Sequence, residues 1–249
     1  MLADILRQVG NDPSELITLD YQWTPDRPVF LLHIPRPTAY LQWAALRELI
    51  PAVGYWPVPG WDFFPQPSIN YGLPAPDVLV EVGSSINIDV WLAEQEVVPS
   101  LFTGCRPSES SLRTPPFDYE VVRTNRSEAE KLWGIRPGGV NVPLSLIPVD
   151  RPWKVPAYLP PITVEIPVEV QIGMLKRWFE RWGAELVSAV PPGMDLRILR
   201  PPTTMTEACG AAAEMIGFCW EIEYAETVEE QVAELAPRVL KSTVWTFHG

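Results

Sequence analysis

Residues 168–199 read VEVQIGMLKRWFERWGAELVSAVPPGMDLRIL, and their periodicity changes once, at Gly183. Before it, Val168, Ile172, Leu175, Phe179 and Trp182 recur at helical spacing and form one apolar stripe, while Glu169, Lys176, Glu180 and Arg181 occupy the other face. Glycine takes the left-handed conformation that ends a helix at little cost, so Gly183 reads as the stop. After it, Ala184 to Val190 and Asp195 to Leu199 read as strands joined by Pro191-Pro192-Gly193. A helix feeding a strand pair predicts an α+β fold, with a mixed or mainly antiparallel sheet, short helices and proline-rich connections.

Working towards the C-terminus, Thr204-Met205-Thr206-Glu207 and Thr227-Val228-Glu229-Glu230 are capping boxes, in which hydroxyl and carboxylate satisfy each other's backbone donors. Each predicts a helix. Pro237 lacks an amide hydrogen and is expected to kink or divide the second one. Thr243 to Phe247 alternates as a final strand.

Working towards the N-terminus, Leu2 to Val9 reads as a helix, Val29 to Ile34 as a strand and Thr38 to Ile50 as a helix. The stretch GYWPVPGWDFFPQP holds too many prolines for a regular element but concentrates Tyr55, Trp56, Trp61, Phe63 and Phe64. Val78 to Val82 and Ile86 to Trp91, separated by Gly83-Ser84-Ser85, read as a hairpin. Thr103 to Pro116 reads as a loop, Glu120 to Arg123 as a strand, Ser127 to Leu132 as a short helix and Leu144 to Val149 as a strand. The proline-rich run from Pro152 to Pro161 is the expected boundary between an N-terminal region, 1–151, and a C-terminal domain, 152–249.

Composition narrows the function. The 249 residues are 47% hydrophobic, enough for a real core, and carry a formal charge of −12 that repels nucleic-acid phosphates and anionic lipid. Neither nucleic acid nor membrane is an expected partner. The three cysteines, Cys105, Cys209 and Cys219, form no CxxC pair or Cys/His cluster, so neither a zinc site nor a disulfide framework is expected, and no cofactor is implied. With no leader or long apolar segment, a cytoplasmic location is the expectation.

Several groups of residues together resemble a known family. They are Val155-Pro156-Ala157-Tyr158-Leu159, Trp178, Trp182-Gly183-Ala184-Glu185-Leu186-Val187, Asp195, Arg200-Pro201-Pro202, Glu207-Ala208, Ala213-Glu214, Phe218-Cys219 and Val244-Trp245-Thr246-Phe247. In this order they are similar to the bacterial domain-of-unknown-function family 4253. Trp43, Leu46-Arg47, Gly54 and Trp56-Pro57 resemble it more weakly. The chain departs from the family pattern at Pro161 to Glu165, at Trp220-Glu221 and at His248-Gly249, so any family site built from those turns has lost side chains here. The resemblance implies a fold and names no reaction.

No catalytic set assembles from the residues alone. His33 lies in an apolar strand and His248 is penultimate, so a shared site is not expected. Ser84 and Ser85 lack the strand-turn-helix elbow of a hydrolase, and Gly138-Gly139 lacks the lysine of a phosphate loop. The candidate polar site is Glu185, Asp195 and Arg200, with Arg200 placed to pair with one carboxylate across the turn; a buried structural ion pair competes with catalysis there. The candidate protein-binding residues are Tyr55, Trp56, Trp61, Phe63 and Phe64, unless these rings only clamp their loop to the sheet.

The leading expectation is a non-enzymatic interaction module, immunity-type or regulatory, with a protein partner of basic character. One alternative is an enzyme with its carboxylate and arginine pocket between the halves. The other is a structural subunit of an assembly, docked through the terminal strand; oligomeric state is open.

Overall fold

The computed structural model describes residues 1–19, 27–49, 53–59, 74–102, 105–106, 116, 118–125, 127, 131, 140–159, 166–190, 193–219 and 227–247. Among these, the strands are β1 (Ile17–Leu19), β2 (Val29–Pro35), β3 (Trp56–Pro59), β4 (Asn141–Ile147), β5 (Ala184–Val190), β6 (Gly193–Ile198) and β7 (Val244–Phe247). The α-helices are α1 (Leu2–Gln8), α2 (Ala39–Leu49), α3 (Pro76–Ser85), α4 (Ile88–Glu94), α5 (Tyr119–Thr124), α6 (Val168–Trp182), α7 (Met205–Cys219) and α8 (Val228–Val239). The fold is α+β, with two antiparallel sheets ordered β1-β2-β4-β3 and β5-β6-β7.

Helix α6 ends as its sequence predicts, with Gly183 at φ 65° and its amide bonded to the carbonyls of the last turn. That left-handed residue lets β5 begin at once. Opposite Asp195 the pairing of β5 shifts between Leu186 and Ser188. This bulge turns both Val187 and Ser188 to the face shared by Glu185 and Arg197, while Leu186, Ala189, Leu196 and Trp245 point the other way. The second face packs beneath α6, α7 and α8 in the main core, where Trp178 sits edge-on to Phe218 and Trp245. The first face meets the N-terminal elements: Val187 and Val244 join a second core with Leu32, Trp43, Leu46 and Leu144. The main core also takes Val29, Trp56, Val58 and Ile147 from the first sheet, and the 3-10 helix Pro152–Tyr158 buries Val155 in it.

Four expectations are corrected. The hairpin across residues 78–91 is instead the helix pair α3 and α4. Pro76 opens α3, whose buried residues Pro76, Leu79 and Gly83 follow helical spacing, and the Asn87 side chain caps α4 by accepting from the amides of Asp89 and Val90. A β-carbon on Gly83 would meet the Glu169 carbonyl oxygen and Ile172 at 2.7 Å, so this glycine permits a close helix crossing and makes no turn. The strand expected at Glu120 to Arg123 is helix α5, started by Asp118, whose carboxylate accepts from the Glu120 amide at 2.9 Å. Of the two outcomes expected at Pro237, the division does not occur: helix α8 runs through it to Val239.

The fourth correction is at the prolines of GYWPVPG, where residues 56–59 form β3 at the sheet edge. The Trp43 indole donates to the Pro57 carbonyl at 3.0 Å, so Pro57 turns its backbone away from β4 and the missing amide costs no ladder bond. Trp61, Phe63 and Phe64, the loop at Thr103 to Pro116 and the short helix at Ser127 to Leu132 fall wholly or mostly outside the described residues.

Cys105 and Cys209 are joined by a disulfide, with Cα atoms 6.2 Å apart across 104 residues of sequence. This also corrects the expectation that these cysteines form no disulfide framework: the bond pairs the segment after α4 with the buried face of α7, a proximity that sequence spacing does not show. None of the described helices is long and apolar enough to cross a membrane.

Candidate functional site

The end of α2, the start of β3, the turn after β4, the C-terminus of α6 and the segment after β6 surround a cleft of about 420 Å³. Its lining includes Arg47, Glu48, Trp56, Asp150, Arg151, Phe179, Glu180, Glu185 and Arg200. Trp56 is buried against β5, its indole donating to the Leu186 carbonyl at 2.9 Å. Glu185 is nearly fully buried, and both its oxygens are engaged by the Arg47 guanidinium, through Nε at 2.8 Å and through Nη2. Arg197 adds a second cation 3.5 Å from Glu185 and 3.7 Å from Glu48. Burial works against the charge of Arg47, but the Glu185 and Glu48 carboxylates outweigh it and raise its pKa.

The three sequence candidates separate. Glu185 and Arg200 line the same cleft, whereas Asp195 does not. Asp195 is fully buried on β6 and accepts from the Ser188 hydroxyl at 2.5 Å. Arg200 forms no bridge to Glu185 across the turn; it donates to the carbonyls of Phe179 at 3.3 Å and Glu180 at 2.7 Å, satisfying the open end of α6. The cations that hold Glu185 come from α2 and from the neighbouring strand. Of the candidate aromatics, Trp56 floors the cleft, and half-buried Tyr55 packs against Phe30, with the rings 5.6 Å apart, under the Arg27 guanidinium. His33 is exposed on β2, away from the cleft.

A second charged cluster lay outside the sequence candidates. Glu214 on α7 is completely buried and accepts from Arg177 Nε at 2.9 Å, Trp178 Nε1 at 2.9 Å and Arg181 Nη1 at 3.1 Å. Arg177 reaches on to Asp89 of α4 at 2.9 Å, and burial notwithstanding, the two carboxylates raise its pKa. The available signal in the sequence was a single glutamate directly after the alanine run Ala211 to Ala213. Among the described residues, no group of three or more histidine, cysteine, aspartate or glutamate side chains is placed to hold a metal ion.

The C-terminal geometry follows the resemblance read from the sequence, and a direct comparison decides it. Residues 143–248 match the family described as Domain of unknown function (DUF4253). The DUF4253 region carries Glu185, Asp195, Arg200 and Glu214, while Arg47 and Trp56, which complete the cleft, precede it. No curated protein and no solved structure matches the chain.

Proposed function

We propose that this protein is a non-enzymatic interaction module, immunity-type or regulatory, that receives a basic protein partner at the cleft between its two sheets. The observation that carries this reading is how the carboxylates are used. Those in the interior are committed, Glu185 to Arg47 and Glu214 to Arg177 and Arg181, which suits struts better than groups that exchange protons. At the rim, Glu48, Asp150 and Glu180, though each is ion-paired, with Arg47, Lys154 and Lys176, keep 61%, 58% and 62% of their side-chain surface exposed around a concave wall floored by an aromatic ring and also lined by Arg151 and Arg200. With a formal charge of −12, such a rim steers a cationic partner in and fixes its orientation.

The test is affinity capture from the native host at physiological salt, with the unaltered protein beside a Glu48→Lys, Asp150→Lys, Glu180→Lys triple variant. A partner that binds the first, fails to bind the second and is released by raised salt supports the reading. A monomer that captures nothing, or a partner indifferent to the reversal, overturns it.

A second reading has one observation in its favour, namely that Glu185 and Arg200 share the cleft. An enzyme using this pair requires a ligand that draws Arg47 off Glu185. A Glu185→Gln variant that stays folded and loses a measurable turnover would establish it.

A further inference from the structure

Between Arg47 and Arg106 the sequence holds no lysine or arginine, yet it contains Glu48, Asp62, Asp77, Glu81, Asp89, Glu94 and Glu96. Much of this run folds into α3 and α4. Their inward faces, Leu79 and Gly83 on α3 and Ile88 and Leu92 on α4, pack on α6 and α7. Their outward faces keep apolar side chains in water: Val78 is 44% exposed, Val82 46% and Val90 54%. On α3, Val78 and Val82 are four residues apart and lie one above the other; the exposed carboxylates Asp77 and Glu81 form a parallel row one position back. On α4, exposed Asp89 and Glu94 flank Val90 in sequence; Asp89 is held by Arg177.

From this juxtaposition of an exposed valine ridge with a row of carboxylates, in a run of sequence without lysine or arginine, we infer that the outward face of α3 is a docking surface for a lysine- and arginine-rich protein segment that also presents apolar side chains. The inference rests on the interaction reading above and adds to the cleft a second surface, outside its lining, for an apolar and basic segment of the same partner. Apolar contact supplies the attraction and the carboxylates select for cations. The other occupants fit the charge poorly, since a second copy of a chain at −12 is repelled, as are anionic lipid and nucleic-acid phosphate.

The probe is a fluorescein-labelled amphipathic lysine–leucine peptide, titrated into the full-length protein at near-physiological salt and followed by anisotropy. A lysine–serine peptide of equal charge is the comparison. The lysine–leucine peptide is expected to bind at least about tenfold more tightly than the lysine–serine one, and Val78→Ser with Val82→Ser to weaken it by about the same factor. Glu81→Lys is expected to weaken it further at low salt, while Val140→Ser, at a residue 86% exposed elsewhere, leaves it unchanged. All these positions are exposed, and thermal melts confirm that each variant is folded.

Equal binding of the two peptides, or unchanged binding to the Val78/Val82 variant, overturns the docking face. If binding is lost instead in the Glu48, Asp150, Glu180 variant alone, the face falls while the interaction reading stands, with the cleft as its surface. Failure of the host capture experiment overturns the reading itself, whatever the peptide does.

Discussion

Glu214 and Glu185 are both acidic residues in the interior, and each is held by arginines from another element. Replacing Glu214 by Ala strands the Arg177 and Arg181 charges and the Trp178 indole, and is expected to cost about 3 kcal/mol. Glu214→Gln, which keeps an acceptor and the volume, costs less; urea unfolding measures both, and equal losses would contradict the donor count. For Arg47 and Glu185, a double-mutant cycle is expected to return a coupling of roughly 1–3 kcal/mol. Additive single losses would mean that the contact is incidental. The sequence picks out Glu185 and offers Arg200 as the partner of either it or Asp195. Arg200 is near Glu185 in the chain, whereas Arg47 is 138 residues away, and separation in sequence says nothing of which guanidinium a fold delivers. Glu214 stands out in the sequence only within the family-like pair Ala213-Glu214, because a single glutamate on a helix does not reveal which way it points.

The start of α7 carries a pH dependence. The Glu207 carboxylate accepts from the amides of Thr203 and Thr204, and these backbone bonds hold its pKa below the usual 4.5. A pKa depressed by folding contributes stability that is complete above the unfolded value and is lost as pH falls through the folded one. Helicity should therefore weaken below about pH 4.5, and Glu207→Gln should remove that part of the acid response; an unchanged acid titration by circular dichroism would count against the cap. Two glycines show how elements read differently alone and packed. Gly83→Ala raises helix propensity but drives a β-carbon into the Glu169 carbonyl and Ile172, with an expected net loss of about 1–3 kcal/mol. Gly210→Ala meets only a guanidinium tip at 3.9 Å and is expected to gain about 0.5–1 kcal/mol. Thermal melts order the pair, and the reverse order would refute the crossing. The same contrast explains why the sequence of α3 and α4 reads as a hairpin. Valines with an intervening Gly-Ser-Ser favour a hairpin locally, and only contact with α6 makes the glycine a helical residue. The caps at Thr204 and Thr227 and the stop at Gly183 were legible because their physics is local.

At the scale of the whole molecule, the disulfide between Cys105 and Cys209 closes a loop of 104 residues. Constraining an unfolded loop of this length is worth up to about 4–5 kcal/mol. Reduction, or Cys105→Ser, is expected to lower the melting temperature, and no shift would remove the bond from the account of stability. Disulfides persist mainly in oxidising compartments, so the bond and a cytoplasmic location are competing expectations. Thiol titration of protein taken from its host separates them. The cleft was legible only in part, because its walls come from segments far apart in the chain and only the C-terminal ones lie within the matched residues 143–248.

The bulge in β5 has a mechanical consequence. Leu186 is embedded in one core and Val187 in the other, so a single strand is anchored on both sides at adjacent residues. Melting either core frees that strand and exposes the other. The two halves should therefore unfold together, as one calorimetric transition whose van't Hoff and calorimetric enthalpies agree. A fragment of residues 152–249 alone, deprived of Trp56, Val58 and Ile147, should fail to reach a native state.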